Sequence, residues 1–202
     1  MEFLRYAAVI LLGYLMGSFP TGYLVARLWK GVDPRRHGSG RTGGTNILRT
    51  AGRSAALLTV AGDTLKGLLP VLLARVLVGT DTALVITGLS AVLGHNRSIF
   101  LSFRGGAGSM TNAGVMLALA PHVVPFMAVG AFVAALLSRT ASVTSMAAAA
   151  VMVVALVVSF FLSLTPIAYV IYGFLACALI LFELRANIAR LRAGSERRVD
   201  HY

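Results

Sequence analysis

The sequence is poor in the residues that dominate soluble proteins. Only 12% of its 202 residues are charged, and just seven are Asp or Glu. So low a charged fraction excludes an ordinary soluble domain. The single cysteine, Cys177, lies within an apolar run, which excludes an intrachain disulfide and predicts a buried small hydrophobic residue. No small-residue cleavage site follows the first apolar run, and that run is too long for a signal peptide.

Several motifs are missing as well. There is no Gly-x-Ser-x-Gly element, which argues against a covalent acyl-serine mechanism. The glycine-rich stretch at 38–46 lacks the Gly-Lys-Ser/Thr ending of a nucleotide-binding loop, which argues against ATP. No second His, Cys or carboxylate stands near His95 at the spacing of metal ligands. We therefore expect no metal and no cofactor.

Most of the chain is apolar sequence. Apolar residues make up 57% of it and the mean hydropathy is +0.83, as in integral membrane proteins. The pattern predicts an all-α, polytopic membrane protein with about seven transmembrane helices in one domain, residues 1–202. The third and fourth apolar segments are short for a full crossing, which predicts tilted or re-entrant helices. The seven segments are 4–28, 54–79, 82–94, 109–120, 122–137, 144–163 and 166–183.

The distribution of basic residues predicts the orientation in the membrane. Of the 18 Lys and Arg residues, 14 lie in alternate connections or in the tail. By the positive-inside rule these segments are cytoplasmic, the N-terminus is outside and the C-terminus is inside. The net charge of +11 then reports topology and contact with anionic headgroups, and we expect no nucleic-acid partner. The basic segments are 30–53, 94–108, 138–142 and 184–202.

Three polar islands interrupt the apolar sequence on the side predicted to be cytoplasmic, at 37–46, 94–108 and 187–190. Glycine runs let backbone N–H groups converge on an anion, and Arg, Ser, Thr and Asn side chains supply further donors. A phosphomonoester has three acceptor oxygens and about two negative charges, which matches such donors. The alternative is a solvated basic loop that only anchors the topology.

Two further features sit inside apolar segments. Asp63 and Lys66 are three residues apart, so they share one helix face and lie within reach of each other. They are either a structural ion pair or support for the phosphate site. His95 ends an apolar segment beside Gly94, where it is either a plain hydrogen-bonding residue or a group that donates to phosphate or accepts a proton.

Three blocks of sequence resemble the bacterial acyl-phosphate:glycerol-3-phosphate acyltransferases, the PlsY family, in the family's order. Residues 38–49, GSGRTGGTNILR, and 62–67, GDTLKG, match the family patterns GSGNxGATNxxR and DxxKG. Residues 94–95, GH, with 100–108, FLSFRGGAG, match GHxxxxFLxFKGGKG. Residues 184–196, LRANIARLRAGSE, match HRxNIxRLxxGxE. The resemblance therefore covers nearly the whole chain.

The resemblance implies transfer of a fatty acyl group from acyl phosphate to the 1-hydroxyl of glycerol 3-phosphate, giving lysophosphatidic acid. It implies a multi-pass protein of the bacterial cell membrane with its active site facing the cytoplasm, small-molecule substrates and membrane lipids as partners, and no metal. Two alternatives remain open: a catalytically impaired homologue that binds phosphorylated lipid or glycerol phosphate, and a transporter of a phosphorylated solute. The oligomeric state is not predicted.

The expected site residues fall into three groups. The catalytic candidates are His95 and Ser39, with a substrate phosphate oxygen as the alternative proton acceptor. The supporting residues are Asp63, Lys66, Arg190 and Glu196. The expected phosphate-binding residues are Ser39, Gly40, Thr45, Asn46, Arg49, Arg104, Gly105, Gly106, Gly108 and Asn187.

The chain departs from the family pattern at four positions. Arg41 replaces Asn, Gly44 replaces Ala, Ala107 replaces the second Lys of the GGKG element, and Leu184 replaces His. The last two changes remove groups able to contact phosphate. Loss of one charge-assisted contact costs about 1.5–3 kcal/mol, or roughly one to two decades in binding or rate. We expect weakened or retuned activity.

Overall fold

The computed structural model describes residues 2–199, and within that range the chain is helical and contains no strand. Ten α-helices follow one another within these residues. Short 3₁₀ turns at Pro34–Arg36, Ile99–Leu101 and Pro121–Val123 lie between them. The helices are α1 (Glu2–Ser18), α2 (Thr21–Lys30), α3 (Gly44–Ala51), α4 (Arg53–Leu77), α5 (Asp81–Asn96), α6 (Ser109–Leu119), α7 (Val124–Ser138), α8 (Ala141–Phe161), α9 (Ile167–Glu183) and α10 (Arg185–Arg192).

Every predicted apolar segment falls on a helix, and the number of about seven spans stays a prediction. Within the described residues five helical stretches are long and apolar enough to cross a membrane, or six if the pair α9 and α10, bent by 61°, is counted as one span. Helix α6 has 11 residues and is therefore about 16 Å long, roughly half the hydrocarbon core. The five are Glu2–Lys30, Arg53–Leu77, Asp81–Leu101, Pro121–Ser138 and Ala141–Phe161.

The chain divides into two compact units, Met1–Leu119 and Ala120–Tyr202. In the first unit, helices α1 and α5 pack backbone to backbone through small residues. A Cβ added at Gly17 would lie 2.1 Å from the carbonyl oxygen of Ala91, so no larger residue fits there. Small residues permit this approach because they add little bulk between the two backbones. In lipid the hydrophobic effect does not drive helices together, so close van der Waals packing must hold them.

The first span is broken at Phe19 and Pro20, between α1 and α2. Pro20 has no N–H to continue the helical hydrogen bonding. The Lys66 ammonium on α4 donates to the Phe19 carbonyl oxygen at 3.0 Å. A cation at a helix C-terminus interacts favourably with the helix dipole, so Lys66 stabilises the end of α1 inside the unit.

The second unit is built on α7, α8 and α9. Its core contains Met152, Leu156, Tyr172 and Ile180, all 1% exposed or less. The His122 ring and the Ser159 hydroxyl are hydrogen-bonded at 3.1 Å, which joins the start of the unit to the end of α8. Close to the end of the described chain, the Val199 N–H donates to the Arg139 carbonyl oxygen, so the tail is fixed to the α7–α8 connection.

Candidate active site

The first polar island forms a loop wrapped around the side chain of Asn46. The Asn46 amide nitrogen lies 2.9 Å from the Pro34 carbonyl oxygen and 2.7 Å from that of Arg41, and it also contacts the His37 carbonyl. Its Oδ1 accepts from the Ser39 N–H at 3.0 Å. Asn46 is 2% exposed. Sequence reasoning expected this side chain to hold phosphate, whereas here both of its polar atoms hold the loop.

The other expected site residues of the block 38–49 lie around Asn46. Ser39 and Thr45 are half-buried, and Arg49 is exposed in the last turn of α3. The first N–H groups of a helix have no intrahelical acceptor, and Thr45 belongs to the first turn of α3. The Gly40 N–H donates to the His37 carbonyl, so it is engaged within the loop.

One cation of the basic segment 30–53 is committed to an internal ion pair. The Arg35 guanidinium forms two hydrogen bonds to the Asp33 carboxylate, at 3.0 and 2.8 Å, and lies over the Tyr23 ring. These bonds, the Arg35 N–H and the nearby positive charges outweigh burial and lower the pKa of Asp33 from 3.8 to about 2. Arg35 therefore shapes the loop, and its charge is already balanced.

The departure at Gly44 has a structural counterpart. A Cβ at position 44 would lie 2.7 Å from a Val60 methyl group on α4. The missing methyl of Gly44 and the bulk of Val60 therefore compensate each other where α3 packs on α4.

The second island folds back on the end of α5. The N–H groups of Gly105 and Gly106 donate to the carbonyl oxygens of Asn96 and His95, each at 3.2 Å. Both donors expected to bind phosphate therefore point at helix α5 in this structure. Gly108 has φ +88°, which suits glycine, and Arg104 is exposed.

Beneath the segment 104–108 lies the side chain of His95. A Cβ built on Gly106 would come within 2.2 Å of His95 Nε2. His95 is 4% exposed, so Gly106 covers its imidazole directly. The second island thus needs glycine at 106 because the histidine occupies the space of a side chain.

The same imidazole is linked to the ion pair predicted from sequence. The Lys66 ammonium lies 2.8 Å from Asp63 Oδ1, and His95 Nδ1 lies 3.7 Å from the same oxygen. Asp63 is 1% exposed and Lys66 8%. A buried charge is tolerated only when it is paired, and here the Asp63 carboxylate pairs with the Lys66 ammonium while the His95 imidazole lies beside the same oxygen. The cluster joins the break of the first span, α4 and the end of α5.

The third island lies in the second unit and is organised by Glu196. The Asn187 amide donates to Glu196 Oε1 at 2.6 Å, and Arg190 Nε donates to Oε2 at 2.7 Å. The Ser142 hydroxyl, on α8, donates to Oε1 at 3.2 Å. Burial raises the pKa of Glu196, but these bonds and the Arg190 charge outweigh it, so the pKa lies below the usual 4.5.

Ser142 was missed by the sequence reasoning. It is distant in sequence from the three islands, and its one signal is its position at the end of the basic connection at 138–142. Leu184, at the position where the family has His, is 2% exposed between α9 and α10 and is part of the apolar core.

The structure thus groups the expected residues unit by unit. The first two islands, with Asp63, Lys66 and His95, belong to the first unit, and Asn187, Arg190 and Glu196 to the second. The binding of one ligand by all three islands stays a prediction. Among residues 2–199, no three His, Cys, Asp or Glu side chains are grouped as metal ligands would be.

An all-helical membrane protein whose polar islands combine hydroxyls, amides and cations has the donors that an anionic ligand requires. The family model "Glycerol-3-phosphate acyltransferase" matches residues 7–194. The chain belongs to this family and is an acyltransferase.

Relatives with the same name match nearly the whole length of the chain. A glycerol-3-phosphate acyltransferase of Roseiflexus sp. is 48% identical over 96% of this chain and 95% of its own. One from Rubrobacter xylanophilus is 47% identical over 94% of this chain and 93% of its own.

Two solved structures are similar in fold. Both are crystal structures of PlsY (YgiH), described as an integral membrane glycerol 3-phosphate acyltransferase. The glycerol 3-phosphate form has TM-score 0.88, 35% identity, and coverage of 96% of this chain and 95% of that one. The lysophosphatidic acid form has TM-score 0.86, 35% identity, and coverage of 96% and 94%. The expected family, the all-helical membrane fold and the acyltransferase activity are confirmed.

Proposed function

We propose that this enzyme transfers a fatty acyl group from an acyl phosphate to the 1-hydroxyl of glycerol 3-phosphate, giving lysophosphatidic acid. The observation that carries the proposal is the pair of similar PlsY structures in glycerol 3-phosphate and lysophosphatidic acid forms. They are a substrate and a product of this reaction. The choice of acyl phosphate as donor rests on the motifs at 38–49, 94–108 and 184–196.

In the proposed site, Ser39, Thr45, Arg49, Arg104 and Asn187 bind the phosphate groups of the two substrates. Exposed Arg49 and Arg104 supply charge, and half-buried Ser39 and Thr45 supply hydroxyls. The contacts described above support a different part for Asn46, Gly105 and Gly106, which hold the loops in place. Gly40 and Gly108, at φ +71° and +88°, provide turns in the same loops.

The proposed reaction needs no covalent enzyme intermediate. The 1-hydroxyl oxygen attacks the acyl carbonyl carbon, the bond from that carbon to the phosphate oxygen breaks, and inorganic phosphate leaves. A mixed anhydride has a good leaving group, so positioning and stabilisation of the developing oxyanion supply most of the acceleration. The burial of His95 under Gly106 favours a substrate phosphate oxygen as the acceptor of the hydroxyl proton. His95 then positions the loop.

We also propose that the site faces the cytoplasm, with the N-terminus outside and the C-terminus inside. Support comes from the 14 of 18 basic residues that lie in alternate connections or the tail. Substrates made in the cytoplasm reach such a site without crossing the membrane.

The test is release of inorganic phosphate and formation of lysophosphatidic acid by the purified protein supplied with acyl phosphate and glycerol 3-phosphate. We expect both products in equal amounts, and their complete absence would contradict the proposal. Arg49→Ala should lower the rate roughly ten- to a hundredfold, the cost of one charge-assisted contact. Arg36→Ala, another exposed arginine of the same basic segment, is the matched control and should have little effect.

The departures from the family pattern at Ala107 and Leu184 provide a second part of this test. Ala107→Lys and Leu184→His restore the family's residues and should raise the rate if those groups assist phosphate binding. If wild type and both restored variants bind glycerol 3-phosphate but release no phosphate, the protein is a binder and not an enzyme of this reaction. Flux of glycerol 3-phosphate into sealed vesicles without phosphate release would instead indicate a transporter.

A further inference from the structure

The segment that joins α5 to α6 exposes large apolar side chains at its tip. Ile99 is 50% exposed, Phe100 59% and Phe103 56%. Leu101 between them is 3% exposed and packs inward, so the segment has one face toward the protein and one away from it. Three large apolar side chains exposed together in a connection indicate a contact surface.

The tip has a defined backbone conformation. The Phe103 N–H donates to the Ser98 carbonyl at 2.8 Å, and the Arg104 N–H donates to that of Leu101 at 3.1 Å. Ser102 and Phe103 have φ values of 54° and 61°, a left-handed conformation that residues other than glycine rarely adopt. The outward position of Phe103 is therefore built into the fold.

The position of the tip along the chain identifies the partner. The membrane span Asp81–Leu101 ends within the tip, so the tip lies where the chain leaves the hydrocarbon region. Arg97 and Arg104 stand on either side of the apolar residues. Phe and other large apolar side chains bury at the boundary between acyl chains and headgroups, and neighbouring Lys or Arg residues are attracted to anionic headgroups.

We propose that Ile99, Phe100 and Phe103 insert into the lipid leaflet at this end of the span, and that the tip is a membrane anchor for the glycine-rich loop. On its other side the same loop is bonded to α5 through Gly105 and Gly106. Arg104 directly follows Phe103. The depth to which Phe103 inserts into the leaflet therefore sets the depth of the Arg104 guanidinium at the headgroups. The inference concerns the lipid contact and holds whether or not Arg104 binds phosphate.

The experiment uses the single tryptophan, Trp29. In a Trp29→Phe background, Phe103→Trp places one fluorophore at the tip, and His37→Trp places one in an exposed polar loop as the matched control. The full-length protein is reconstituted in vesicles of equal parts phosphatidylcholine and phosphatidylglycerol. One quencher is a lipid brominated near the headgroup end of its acyl chains, and the other is iodide in the water.

We expect the fluorophore at 103 to lose more emission to the brominated lipid, and less to iodide, than the fluorophore at 37. Iodide quenching at 103 equal to that at 37 would overturn the proposal, because the tip would then lie in water. Protection at 103 from both quenchers would also overturn it, since protein, such as a second copy of the chain, would cover the tip. If Phe103→Trp does not fold, Phe100→Trp probes the same surface.

Discussion

At the scale of single residues, the imidazole of His95 occupies the space that a side chain at position 106 would need. The ideal Cβ at Gly106 lies 2.2 Å from Nε2 and 2.9 Å from Cε1 of that ring. The ring is also near Asp63, so it cannot move away without disturbing the buried pair. Glycine at 106 is thus explained by a contact with a neighbour rather than by a ligand.

Gly106→Ala should therefore shift the segment 104–108, which carries Arg104. Overpacking of this kind costs about 1–3 kcal/mol, and the shift should lower kcat/KM for glycerol 3-phosphate. Gly43→Ala is the control, because a Cβ at position 43 has no heavy atom within 4 Å. Thermal unfolding and steady-state kinetics of both variants measure the difference. Equal behaviour of the two would contradict the close packing of His95 on Gly106.

The buried pair of Asp63 and Lys66 gives a second prediction at this scale. Removing one partner leaves an uncompensated buried charge, which costs about 3–5 kcal/mol, so Asp63→Asn should strongly lower the unfolding temperature. The double variant Asp63→Asn/Lys66→Met should recover part of the loss, but not all, because the bond from Lys66 to the Phe19 carbonyl is also gone. An unchanged unfolding temperature in Asp63→Asn would show that the pair is not charged and buried as described.

At the scale of elements, the short helix α10 and the segment after it are joined by one carboxylate. Glu196 accepts from Asn187, Arg190 and Ser142, and so connects α10 to the start of α8 within the second unit. The orientation of the Asn187 amide therefore depends on Glu196. A change at Glu196 should reach Asn187 without any change in the amide itself.

Glu196→Gln keeps the shape of this side chain but removes its charge, so it should destabilise the protein at neutral pH. The pKa of Glu196 is lowered in the folded state, so its stabilising contribution is complete above its unfolded value of 4.5. That contribution is lost as the pH falls through the lowered folded value. The difference in unfolding temperature between wild type and Glu196→Gln should therefore be constant above pH 4.5 and shrink below it. A constant difference down to the most acidic pH would contradict the ionised contact.

The elements differ in how far the sequence predicts them. Helices such as α4 and α8 follow directly from long apolar runs, and the pairing of Asp63 with Lys66 follows from their spacing of three. The part played by Asn46 does not, because its partners are backbone carbonyls placed by the loop closure itself. The contact of Ser142 with Glu196 joins residues 54 apart, which no local pattern reveals.

At the scale of the whole molecule, the account requires the polar islands to share one side of the membrane. In a Cys177→Ser background, single cysteines at His37 and Ser195 should react with a membrane-impermeant maleimide from the cytoplasmic side. A cysteine at Thr82, beside the connection at 79–81 that contains no Lys or Arg, should react from the other side. All three positions are exposed. Reaction of 37 and 195 from opposite sides would contradict the topology.

The central claim, that separate islands bind one glycerol 3-phosphate, is tested most directly by its KM in Arg49→Ala, Arg104→Ala and Asn187→Ala. Each variant removes a donor from a different motif block, 38–49, 94–108 or 184–196, so each should raise this KM about tenfold or more, while Arg36→Ala leaves it near the wild-type value. An unchanged KM in Asn187→Ala, with increases in the two arginine variants, would mean that the third island does not bind this substrate and would contradict the account.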